Sequence, residues 1–92
     1  MTPSGTGRRV TILNKRGLHA RAAAKFVKLA GQFAAELTVA KDGVAVSGRS
    51  IMGLMMLAAG PGTELVIHAE GPDAGAALDA LAGLVAAKFD ED

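Results

Sequence analysis

The sequence predicts an α+β domain, an open-faced α+β sandwich with the element order β-α-β-β-α-β-α. Three observations carry that expectation. The strand-like segments alternate apolar and polar residues, so each buries a single face. The helix-like segments place apolar residues at i, i+3 and i+4 along one side. No linker or internal repeat interrupts the 92 residues, so one core must serve the whole chain.

The elements follow in order. Residues 1–7 read as a flexible lead-in, and the first strand is expected over Arg8–Leu13, with Val10 and Ile12 on one face. Asn14-Lys15-Arg16-Gly17 breaks it. A helix is expected from about Ala20 to Gln32, with Ala23, Phe26, Val27, Ala30 and Phe33 inward and Arg21, Lys25, Lys28 and Gln32 on a solvated basic stripe. Glu36–Lys41 and Val44–Ser47 flank Asp42-Gly43, a two-residue hairpin turn, with Leu37, Val39, Val44 and Val46 inward. Ser50 caps a short helix over Ile51–Leu57, which Gly60-Pro61-Gly62 ends. Thr63–Glu70 alternates most cleanly, burying Leu65, Ile67 and Ala69. Gly71-Pro72-Asp73 then leads into a last helix whose stripe runs through Ala77, Leu78, Leu81, Leu84, Val85 and Lys88. The domain spans 8–89, and the acidic residues 90–92 are expected in solvent. The pattern leaves strand order open, and a ferredoxin-like winding has the same linear order.

Composition excludes several function classes. Half the residues are apolar, but nineteen of them are alanine, so the core must rest on Leu, Val, Ile, Met and three Phe. Net charge is +1 and basic residues do not interleave with aromatics, which argues against a nucleic-acid ligand. Cysteine is absent, which removes disulfides and thiolate chemistry and fits a cytoplasmic protein. The longest apolar run, Ile51–Ala59, falls well short of the ~20 residues that span a bilayer, so no membrane association is expected. Nucleotide-binding glycine fingerprints and catalytic triads are missing, and neither a cofactor nor a metal is implied. A self-contained enzyme is not expected.

What remains is Asn14–Val27, NKRGLHARAAAKFV. It sets His19 where an extended segment turns into a helix, with Arg21 two residues on. A helix start presents unpaired N–H groups and a positive dipole end, so it attracts anions. An imidazole there offers a nucleophilic nitrogen for a phosphoryl group, and a guanidinium beside it can hold the charge. The bland alternative makes His19 a polar helix cap. Arg21 weakens that alternative, because a cation in the first turn opposes the helix dipole. His68 is the contrast: on the outward face of a strand with no basic neighbour, it reads as an ordinary solvated residue. In Ser50–Leu57, SIMGLMML, Leu54 and Leu57 are expected inward while Ile51, Met52 and Met55 stay at the surface as an adaptable docking patch.

NKRGLHAR opening one helix and SIMGLMML opening another resemble the HPr phosphocarrier family of the bacterial phosphotransferase system, over roughly Arg8–Phe89. The resemblance implies a four-stranded antiparallel sheet covered on one face by three helices. It implies that enzyme I phosphorylates His19 on Nδ1, that Arg21 stabilises the phosphoryl charge, and that the group passes to an enzyme IIA protein. Ser50 falls on the regulatory serine that HPr kinase/phosphorylase modifies where that enzyme exists. Ile51, Met52 and Met55 fall on the partner-docking patch, and a monomer is expected. The family's His-Ala-Arg-Pro becomes His-Ala-Arg-Ala here, so Ala22 restores a backbone N–H donor that proline lacks. With the ending KFDED, this departure points to the nitrogen-related branch. Two rivals remain: a regulatory interaction module that transfers no phosphate, and a ferredoxin-like ligand-binding domain. Neither accounts for His19 and Arg21 together.

Overall fold

The computed structural model describes residues 5–91, with side chains from residue 7. Among them, strands β1 (Gly5–Thr11), β2 (Glu36–Lys41), β3 (Val44–Ser47) and β4 (Glu64–Glu70) form one antiparallel sheet in the order β1-β4-β2-β3. Helices α1 (Ala20–Ala30), α2 (Ile51–Met56) and α3 (Ala74–Ala86) supply its cover. The last strand therefore sits between β1 and β2, with Ala69 beside Thr6 on one side and Leu37 on the other. That insertion of β4 excludes the ferredoxin-like winding.

The core is where alternation placed it. Val10, Ile12, Leu37, Val39, Leu65, Ile67 and Ala69 point under the helices, which return Ala22, Ala23, Phe26, Leu54, Leu78, Leu81 and Val85. Alanine on both α1 and α3 allows close approach to the sheet, at the cost of little area per residue.

Several boundaries differ from expectation. The strand expected from Arg8 starts at Gly5, so the lead-in loses Gly5–Gly7 to the sheet; residues 1–4 lie outside the described residues. Two small glycines hid those positions, and pairing to β4 makes them a strand. Helix α1 stops at Ala30, one residue before Gly31. Arg49 fixes that stop by donating to the carbonyls of Ala30 (3.0 Å), Phe33 (2.8 Å) and Ala35 (2.7 Å), while the Asp73 carboxylate accepts from the amides of Ala34 and Ala35. Val44, expected inward, is exposed and only Val46 packs against the core. Val44 sits beside the Asp42-Gly43 turn on an edge strand, where it borders an open depression shared with Met56 at the end of α2 and is not covered by it. The turn itself has φ of 50° and 84° at its two residues, the left-handed pair a right-twisted hairpin needs. Lys88 does not extend the stripe of α3. The helix ends at Ala86, and Lys88, Phe89 and Asp90 all adopt left-handed φ near 55–61°. That reversal turns the tail back across the start of α1.

Candidate functional site

The site begins with the loop after β1. Gly17, with φ of +65°, lies against Ala59 and Gly60, so closely that a Cβ there would overlap the Ala59 carbonyl oxygen. Leu18 donates its N–H to that same oxygen at 2.8 Å and buries its side chain. The next residue, His19, is thereby set in extended backbone as the N-cap of α1, and its carbonyl accepts the first helical hydrogen bond from Ala23. Its Nδ1 accepts from the Arg21 amide at 3.3 Å. This is the capping geometry by which a polar side chain satisfies an orphan helix donor.

The other ring nitrogen is held by the tail. His19 Nε2 lies 2.7 Å from Glu91 Oε1, and the two side chains are only 18% and 15% exposed. The buried amide of Asn14 donates to the same oxygen at 2.9 Å and to the Gly17 carbonyl at 2.7 Å, which fixes its orientation. Lys25 donates to the Phe89 carbonyl at 2.6 Å, and Phe89 itself is fully buried. The His19 hydrogen bond holds the Glu91 carboxyl below the usual carboxylate range; the Asn14 amide and the fields of His19 and Lys25 add to it, against partial burial. An ionised carboxylate only accepts. Nε2 therefore carries the ring hydrogen and Nδ1 keeps its lone pair.

Around Nδ1 the surface is open and basic. A shallow depression of about 190 Å³ is lined by Arg16, Leu18, His19, Ala58, Ala59 and Gly60. A larger depression, about 460 Å³ between Ala40–Gly43 and Thr63–Val66, lies beside the β2–β3 turn and holds no histidine. Arg21 is exposed, and among the described residues its guanidinium makes no hydrogen bond or ion pair. Ala22 is buried in the first turn, where its N–H belongs to the group that no helical carbonyl satisfies. His68 stands exposed on β4, remote from this cluster.

The second segment is built in the same manner. Ser50 caps α2, its Oγ accepting from the Gly53 amide at 2.9 Å. Leu54 and Leu57 are buried, whereas Ile51, Met52, Met55 and also Met56 are exposed. Helices α1 and α2 pack against each other.

Sequence reading named His19 and Arg21 and did not name the residues that hold the His19 ring. Glu91 was expected in solvent and instead grips His19; Lys25 was expected on a solvated stripe and instead anchors the tail. Phe89 carried the available signal, since a lone aromatic between charged residues has to be buried somewhere.

Residues 6–87 match the family model described as the PTS HPr component phosphorylation site. Phosphocarrier protein HPr of Cupriavidus necator is 49% identical over 84 residues, covering 91% of this chain and 94% of the relative. Phosphocarrier protein NPr of Shewanella violacea is 51% identical, covering 91% and 92%. The crystal structure of HPr-C-His from Thermoanaerobacter tengcongensis superposes with a TM-score of 0.90 at 41% identity, covering 95% of this chain and 98% of that one. With its strand order, its capping histidine and these relatives in agreement, the chain belongs to the HPr phosphocarrier family of the phosphotransferase system.

Proposed function

We propose that this chain is a stoichiometric phosphoryl carrier that accepts a phosphoryl group from enzyme I on Nδ1 of His19 and delivers it to a histidine of an enzyme IIA protein. One observation carries the proposal: at the start of α1, His19 has Nε2 occupied by Glu91 and Nδ1 facing only a long contact from the Arg21 amide. As the phosphoryl group arrives, that amide and the neighbouring Ala22 N–H are released to its oxygens, and the Arg21 guanidinium supplies a mobile positive charge. The protein contributes position and charge compensation, and the reaction completes only when a partner brings the second histidine in line.

The exposed residues Ile51, Met52 and Met55 beside the site provide the docking patch for both partners. Ser50, at the rim of that patch, is the regulatory position. A phosphate there suits the cap of α2 but sets negative charge inside the docking surface. Ala22 after Arg21 and the ending KFDED favour the nitrogen-related branch, and the reaction belongs to the cytoplasm.

Labelling with phosphoenolpyruvate and enzyme I tests the proposal. His19→Ala should take up no label, while His68→Ala labels normally. Label retained by the His19 variant would refute it.

A further inference from the structure

Sulfur in this chain is concentrated on one short helix. Cysteine is absent, and of the four methionines three, Met52, Met55 and Met56, lie on α2. An alanine-rich core has use for side chains of that size, and methionine is ordinarily buried. Yet Met52 and Met56 are 74% and 78% exposed and Met55 is 43% exposed, while Leu54 and Leu57 anchor the helix from its other side. Four residues apart, Met52 and Met56 stand above one another on the same face. No charged residue occurs from Ser50 to Thr63, so the surface around the three sulfurs is apolar. Tyrosine and tryptophan are also absent, which leaves these thioethers as the groups of the described residues that dilute peroxide attacks.

We infer that α2 carries a reversible oxidation site: hydrogen peroxide converts Met52 and Met56 to methionine sulfoxide, and the change weakens docking to enzyme I. The inference rests on the reading of this patch as the docking surface of a phosphoryl carrier. In the step itself, a sulfur lone pair attacks one peroxide oxygen and forms the S–O bond. The O–O bond breaks, its electron pair goes to the departing oxygen, and that oxygen takes up the proton from the transferred hydroxyl and leaves as water. Sulfur is oxidised and peroxide is reduced. Methionine sulfoxide reductases return the electron pair from their thiols and release the oxygen as water. A sulfoxide oxygen is a strong acceptor, and a partner face that fits a thioether gives it no donor, so burying it on docking is unfavourable. The fold is spared, because the oxidised sulfurs stand outside the core that Leu54 and Leu57 enter. The phosphoryl acceptor is spared as well, since the groups hydrogen-bonded to the His19 ring contain no sulfur.

The test treats the full chain with dilute hydrogen peroxide and follows its phosphorylation by enzyme I and phosphoenolpyruvate. Peptide mass spectrometry should show an added oxygen on Met52 and Met56 before Met55, the order of their exposure. The oxidised chain should unfold near the native temperature. Its KM as the substrate of enzyme I should rise roughly 10- to 100-fold, the range for a polar group buried unpaired, with kcat unchanged. Reductases A and B together should restore the native KM, since each acts on one sulfoxide epimer. A chain carrying Met52→Leu, Met55→Leu and Met56→Leu keeps the side-chain volumes and has no sulfur on α2. Compared with its own untreated form, it should show no change in KM on peroxide treatment. A native KM in the oxidised chain, a fall in kcat in place of the rise in KM, or a like response in the triple variant overturns the inference. In each of these cases the carrier reading stands if untreated protein is labelled on His19. Absence of that label from untreated protein overturns both.

Discussion

Gly17→Ala probes whether the site depends on the backbone of the loop that presents it. Two costs add. Alanine in the left-handed region costs about 1–2 kcal/mol more than in a relaxed conformation. Its Cβ would also overlap the Ala59 carbonyl oxygen and lie 2.9 Å from the Gly60 Cα. Both contacts are backbone, so no side chain can swing aside; the loop must move and give up the Leu18–Ala59 hydrogen bond, worth about 1 kcal/mol. The sum is about 2–3 kcal/mol. Urea unfolding of a domain this small has a slope of about 1 kcal/mol per molar, so the midpoint should fall by roughly 2–3 M. Gly17→Asn separates the two costs, because asparagine tolerates the left-handed region better but its Cβ meets the same carbonyl. It should recover less than half of the loss. A Gly17→Ala midpoint within about 0.5 M of native, on that same slope, would refute the reasoning outright. Full recovery in Gly17→Asn would refute its steric half.

Four further outcomes are expected. Arg21→Ala should leave the fold unchanged and slow phosphoryl transfer on the order of 10- to 1000-fold, as loss of a charge-stabilising donor does; an unchanged rate returns Arg21 to the solvated face. Ser50→Asp should weaken binding to enzyme I, measured by calorimetric titration, and equal affinity counts against a regulatory role. Arg49→Ala removes the side-chain donor to the carbonyls of Ala30, Phe33 and Ala35 and should cost about 2 kcal/mol, lowering the calorimetric midpoint by roughly 10 °C. The Glu91 carboxyl is held lower in the folded chain than in the unfolded one, chiefly by His19. Its contact therefore contributes stability above the ordinary glutamate range and loses it as pH falls through the lowered folded value. Acid titration followed on the Asn14 side-chain amide signals should show that transition below the pH for free glutamate and not in Glu91→Gln; a midpoint at or above the free value contradicts the stated cause.

The legible part of this molecule was the part governed by short-range rules. Period-2 and period-3.6 patterns located the strands and helices because Leu65, Ile67 and Ala69, or Phe26 and Ala30, announce a buried face locally. His19 was legible as the residue that opens α1, because the break at Asn14–Gly17 and the apolar stripe that follows locate a helix start locally. Strand order was not legible, since nothing between Arg8 and Val10 specifies Ile67 rather than Val46 as a neighbour. Val44 was misplaced because alternation records which residues share a face and not where helical cover ends. Glu91 was invisible for a stronger reason. It lies 72 residues from His19, and the turn that carries it there uses conformations that Lys, Phe and Asp rarely adopt.

The position of β4 between β1 and β2 governs how the chain can acquire its shape. Until residues 64–70 are available, β1 has no sheet partner, because its register is entirely with β4. Two-thirds of the chain can leave the ribosome with only the β2–β3 hairpin and nascent helices in place. Folding then proceeds by inserting a late strand between two waiting edges, a step dominated by contacts distant in sequence and correspondingly slow. The turn that grips His19 follows both β4 and α3 in the chain, so the His19 ring is fixed only after the scaffold around it is complete.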